Sequence, residues 1–174
     1  RFRRPTLGLW PDGQIGPFAP GCQVFLEVFD KKGDYQPAQT FRSLVMASFD
    51  PHTTASGAPD CSVCHLDPKM LGLGEGVLKI TEKGLKFEPV FQSAFSGLGI
   101  DFPLDAFVSV EGKPLQIASR DKSRPFNKEE LTRITRVGLC IPCHDRYDDP
   151  IYSAYHQSMS RFLSGSTPCR KEMP

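Results

Sequence analysis

The sequence predicts an α+β domain with much irregular structure, in which β-hairpins and a few short helices surround a core. Three observations lead there. Several short stretches alternate apolar and polar residues and end in Gly-containing turns, as strands of hairpins do. Two later stretches begin with helix-capping residues and continue with apolar positions three and four apart. Sixteen prolines and fifteen glycines are spread through the 174 residues and interrupt long regular elements. The length fits a single domain over 1–174, and an apolar content of 39% is modest for one.

In chain order, Val24 to Phe29 alternates and runs into Lys31-Lys32-Gly33-Asp34, a strand entering a turn. Val77 to Ile80, the turn residues Glu82-Lys83-Gly84 and Leu85 to Phe87 form an expected hairpin. A second is expected from Phe107 to Val110, turning at Glu111-Gly112-Lys113-Pro114 into Leu115 to Ile117. Asn127-Lys128-Glu129-Glu130 carries the N-cap and third-position glutamate of a capping box, and Leu131, Ile134 and Val137 continue the helix. Asp149-Pro150 is an N-cap followed by proline at the first helical position, which predicts a helix from Ile151 to Leu163. On that helix Tyr152, Tyr155, His156, Met159, Phe162 and Leu163 make an apolar stripe. Ala55 to Asp60 reads as loop.

Two pentapeptides carry the chemistry: Cys61-Ser62-Val63-Cys64-His65 and Cys140-Ile141-Pro142-Cys143-His144. The form C-x-x-C-H marks covalent attachment of a c-type haem. Two thiols separated by two residues can reach both vinyl-bearing edges of one porphyrin, and the adjacent histidine then lies under the iron. Cys61, Cys64, Cys140 and Cys143 are thus the candidate thioether residues, His65 and His144 the candidate proximal iron ligands, and two haem c groups the expected cofactors. The domain then divides into a first haem segment at about 50–76, a β-rich insert at about 77–120 and a second haem segment at about 127–163, with the porphyrins supplying much of the core. Zinc ribbons also use paired cysteines, but at separations of about 15 to 20 residues. Here most of the central chain lies between the pairs, and zinc gives no reason for a histidine after each. A thioredoxin-like dithiol would need a βαβ frame, which neither copy has.

The chain has four histidines. With His65 and His144 assigned to the proximal side, His52 and His156 remain for two distal positions. His156 lies on the apolar stripe, and His52 lies in the turn-like stretch Asp50-Pro51-His52-Thr53-Thr54. Which haem each would serve stays open. Methionine is the competing axial ligand, with Met46, Met70, Met159 and Met173 available, although most methionines fill gaps in cores.

On these two pentapeptides and the spare histidines the chain resembles the multihaem c-type cytochromes. The resemblance implies a dihaem electron carrier with bis-histidine irons, working in the periplasm or at the cell surface and exchanging electrons with protein donors and acceptors. The compact single-haem cytochrome c pattern, with its terminal helix pair and late methionine ligand, is not present. Two other readings accompany the carrier: a haem enzyme, such as a peroxidase or small-oxyanion reductase, with one open distal site; and a haem domain or subunit of a larger multihaem assembly.

The remaining features bound the reading. Cys22 and Cys169 are left over, and in an oxidising compartment they form the expected internal disulfide. A formal charge of +1 with interleaved signs gives no reason to expect nucleic acid. No apolar run is long enough for a membrane span. The basic start Arg1-Phe2-Arg3-Arg4 reads as a flexible end. Without a secretory signal or an initial methionine, the chain reads as a processed product or an excised piece. Leu71-Gly72-Leu73-Gly74-Glu75-Gly76 lacks the strand and downstream context of a nucleotide-binding loop and is expected to turn close to a porphyrin.

Overall fold

A computed structural model of the chain describes residues 4–36, 41–50, 59–81, 84–90 and 102–167. Thr6–Leu9 (β1) turns through Trp10 to Gln14, where Gly13 N–H donates to the Trp10 carbonyl, and returns as Ile15–Leu26 (β2). Phe41–Ser48 (β3) pairs antiparallel with β2. Between Pro20 and Gln23 the register slips, placing Gly21 and the exposed Cys22 at a bulge, a device that bends a strand where proline cannot donate. Two residues far down the chain, Ile117–Ala118 (β6), add a parallel edge on β3 to complete a four-stranded sheet in the order β1-β2-β3-β6.

Gly76–Thr81 (β4) and Gly84–Pro89 (β5) form a separate antiparallel hairpin. It is the hairpin expected from alternation: Leu78, Leu85 and Phe87 pack on the core, while Lys79 and Glu88 face solvent as an ion pair at 2.8 Å. The hairpin expected at 107–117 forms in short form, with the Val108–Pro114 bridge flanked by Ser109 N–H on the Lys113 carbonyl and Leu115 N–H on the Phe107 carbonyl, while Ile117 pairs with Val45 of β3. The strand expected at 24–29 is the end of the longer β2, and Phe29 bridges Tyr35 across the turn at 31–34.

The helices are Cys61–His65 (α1), Lys128–Gly138 (α2), Pro150–Ser153 (α3) and Tyr155–Leu163 (α4). The capping box on α2 is complete: Asn127 accepts from Glu130 N–H while the Glu130 carboxylate accepts from Asn127 N–H. Asp149 caps α3, as its sequence context predicts. The single helix expected over 151–163 is broken at Ala154, whose φ of −119° and ψ of 40° are not helical. Each half has its own anchor: the Tyr152 hydroxyl donates to the His144 carbonyl, whereas Met159 is buried. Local helix preference yields to those two tertiary anchors.

Side chains alone build two apolar clusters. Phe18, Met46 and Phe107 pack between the sheet and the following loop, with the two phenyl rings 5.0 Å apart. Leu71, Leu73, Val108, Phe126 and Leu131 form the other, which fastens α2 to the body. The glycine-containing loop expected beside a porphyrin lies in this second cluster. Gly72 adopts a φ of 85°, where a side chain would be strained, and its carbonyl accepts from both Phe107 and Val108 N–H. Arg4, expected in a flexible end, pairs with Asp67 at 3.0 Å and Glu75 at 3.1 Å and so ties β1 to the chain just beyond His65. Among the described residues no helix is long and apolar enough to cross a membrane.

Candidate functional site

Both pentapeptides wind into a single helical turn. The first is α1 itself, and in the second His144 N–H donates to the Cys140 carbonyl at 2.9 Å, the spacing of an α-helical bond. Residues three and four apart share a helix face, so each turn gathers its two cysteines and its histidine on one side. Cys61, Cys64, Cys140 and Cys143 are all thiols. Burial pushes the Cys64 thiol up, with Cys61 and Asp67 adding to the effect, whereas a reactive dithiol has a lowered one.

Helix α2 serves both motifs. Its C-terminus leads into Cys140 through Leu139, and its flank receives α1. Gly138 makes that approach possible: a Cβ there would fall on the Leu66 side chain and stand 3.1 Å from the His65 carbonyl oxygen. At this contact His65 Nδ1 lies 2.9 Å from the Ile134 carbonyl oxygen. A carbonyl only accepts, so Nδ1 carries the proton and the neutral ring has its lone pair on Nε2.

His144 is held the same way by a different group. Its Nδ1 lies 2.9 Å from Asp149 Oδ2, while Asp149 Oδ1 accepts from Ile151 N–H at 3.0 Å. That backbone bond first, and the bond from His144 second, hold the Asp149 carboxyl below the usual carboxylate range. An ionised carboxylate accepts only, which again assigns the proton to Nδ1. One aspartate therefore starts a helix and orients a ring. Metal-binding histidines commonly show this arrangement, with the far nitrogen donating to a carboxylate or a carbonyl.

The two motifs approach one another. Cys61 Sγ is 4.0 Å from the Asp145 carbonyl oxygen, one residue beyond His144. Tyr152 lies within electrostatic reach of both Cys140 and Cys61; burial and then these two groups push its phenol up. Its hydroxyl, on the His144 carbonyl, pins the second motif to α3.

Two of the open cavities that flank α2 take in His156. One, of about 410 Å³, is lined by His65, Ile134, Val137 and Arg133 and by Tyr155 and His156 of α4. The other, of about 630 Å³, again takes in Arg133, Tyr155 and His156, with Met159. Both volumes lie within the roughly 300–1,000 Å³ of cofactor pockets. His156 is exposed, and Tyr155 Oη is buried without a hydrogen-bond partner among the described residues. Burial pushes that phenol up, and Cys140 adds to the shift.

Two cysteines and a histidine on one side of each turn are the residues that would hold a haem c group. Among the described residues no three His, Cys, Asp or Glu side chains form a group that could hold a metal ion. A porphyrin supplies four nitrogens itself and leaves axial positions for histidine. Of the methionines considered as ligands, Met46 is enclosed with Phe18 and Phe107, Met70 and Met159 are buried, and Met173 lies outside the described residues. His52 and Cys169 also lie outside them, and among the described residues the cysteines form no disulfide. The sequence identified Asp149 only as a helix cap and Ile134 only as an apolar helix position, and it did not point to Gly138 or the Tyr155 hydroxyl. A carboxylate five residues beyond the second motif histidine was the one signal available.

No family model, curated protein or solved structure matches the chain.

Proposed function

We propose that this protein is a dihaem c-type cytochrome that transfers electrons. Cys61 and Cys64 would bind one haem and Cys140 and Cys143 the other, with His65 and His144 as proximal ligands and His52 and His156 as the distal pair. The observation that carries the reading is the matched state of the two motif histidines: each has Nδ1–H committed to an acceptor, which presents Nε2 for iron. When bound, haem supplies reversible one-electron exchange between two oxidation states of its iron.

The chain's own residues then do three things. Ile134 and Asp149 fix the orientation and the Nδ1–H tautomer of the two imidazoles. The chain path that brings Cys61 to within 4.0 Å of the Asp145 carbonyl oxygen sets the attachment turns side by side, which favours passage of an electron between cofactors. Histidines on both sides of each iron would leave no position for substrate, so the carrier reading precedes a peroxidase or small-oxyanion reductase. Protein donors and acceptors outside the cytoplasmic membrane, or neighbouring subunits of a larger multihaem assembly, are the partners this reading implies.

The test is mass spectrometry of the denatured chain from a host competent in cytochrome c maturation, followed by visible and EPR spectra with and without cyanide. Two covalent haems and low-spin iron that does not bind cyanide rapidly are expected. A chain mass without haem refutes the proposal, and rapid cyanide binding replaces the carrier with the enzyme.

A further inference from the structure

We infer that His156 is the distal ligand of the haem attached at Cys61 and Cys64, so that the second haem segment closes the coordination of the first. The inference rests on the dihaem reading and adds the pairing that spacing along the chain leaves open. His65 and His156 come from α1 and α4, far apart in sequence, yet both line the 410 Å³ cavity. Of the two cavities that His156 lines, the smaller takes in His65, and neither takes in His144.

Most of the lining suits the two chemical ends of a porphyrin, and its one carboxylate, Glu130, is already paired with Arg124. Ile134 and Val137 from α2, with Leu9 and Phe126 from the body, offer apolar side chains to the ring. Arg133 is exposed on the same wall and can pair with a propionate in water. The Tyr155 hydroxyl is buried and unpartnered, a state that disfavours folding unless an acceptor arrives, and a propionate oxygen is such an acceptor. Tyr155 is next to His156, so one helical turn of α4 would present both the iron ligand and the carboxylate donor. Under this arrangement, α4 is held to α1 by the cofactor.

Single-haem chains separate the alternatives. In the 174-residue chain carrying C140A/C143A, which keeps only the first attachment site, His156→Gly should convert the remaining iron from low to high spin, and added imidazole should restore the low-spin spectrum. In C61A/C64A the same substitution should leave the spectrum unchanged. Covalent haem, counted by mass in every variant, distinguishes ligand loss from failed maturation. The intact dihaem chain provides a second measurement: His156→Gly should remove one of two low-spin signals, reversibly with imidazole. The opposite pattern in the single-haem chains, loss of both signals, or no change anywhere overturns the inference. An unmutated chain without covalent haem instead overturns the dihaem reading beneath it.

Discussion

Asp149→Asn separates two roles that one carboxylate performs. Oδ1 accepts from Ile151 N–H and caps α3, while Oδ2 accepts from His144 Nδ1–H. Asparagine is as good an N-cap as aspartate, so the first bond survives. The amide nitrogen then faces His144 with donors only, and two donors cannot pair. The neutral imidazole responds by moving its proton to Nε2 and accepting through Nδ1, which removes the lone pair that iron requires. Returning to the binding tautomer leaves the histidine–asparagine contact unmade. Loss of such a supporting group costs about 10–100-fold in metal affinity. Titration of the oxidised holoprotein with imidazole or cyanide should show half-conversion of one haem at about 10–100-fold lower competitor. Asp149→Ala should show the same change together with fraying of α3, seen as faster amide exchange at Ile151. An Asp149→Asn chain with two covalent haems and an unchanged titration would refute the tautomer argument and leave Asp149 a cap alone.

Two further outcomes test the scaffold. Leu131 has 0% of its surface exposed and anchors α2, so Leu131→Ala should lower stability by about 3–5 kcal/mol, measured by chemical denaturation of the holoprotein; a loss under about 1 kcal/mol would show that α2 is held by the cofactors and not by this cluster. Glu130 is held below the ordinary glutamate range, first by Arg124 and then by Asn127 N–H, against the opposing effect of burial. A depressed value contributes stability that is present above the unfolded glutamate value and is lost as pH falls through the folded one. Arg124 is 45% exposed, which limits the pair to about 0.5–1 kcal/mol. Glu130→Gln should therefore be less stable than the unmutated chain at neutral pH, with the gap narrowing as pH drops below about 4; a gap that is constant with pH would remove the charge from the explanation.

What the sequence determined by itself lies within a few residues of chain. The two C-x-x-C-H turns, the capping box at Asn127 and Glu130, the Asp149-Pro150 helix start and the β4–β5 hairpin are each specified by neighbours, because hydrogen bonds to nearby backbone and two- or three-residue periodicities need no distant partner. The mixed α+β class follows from them. Pairings between distant segments were decided only in three dimensions. Ile117 leaves its expected hairpin for Val45, and the expected helix at 151–163 breaks at Ala154 between two anchors. Gly138 admits α1 close enough for His65 to reach the Ile134 carbonyl. The spare histidine at 156, legible as a candidate from composition, shares an open cavity with His65 only because α1, α2 and α4 all line it. A residue's type and local spacing state what chemistry it can do; which partner it does it with depends on burial and packing between segments that no local pattern encodes.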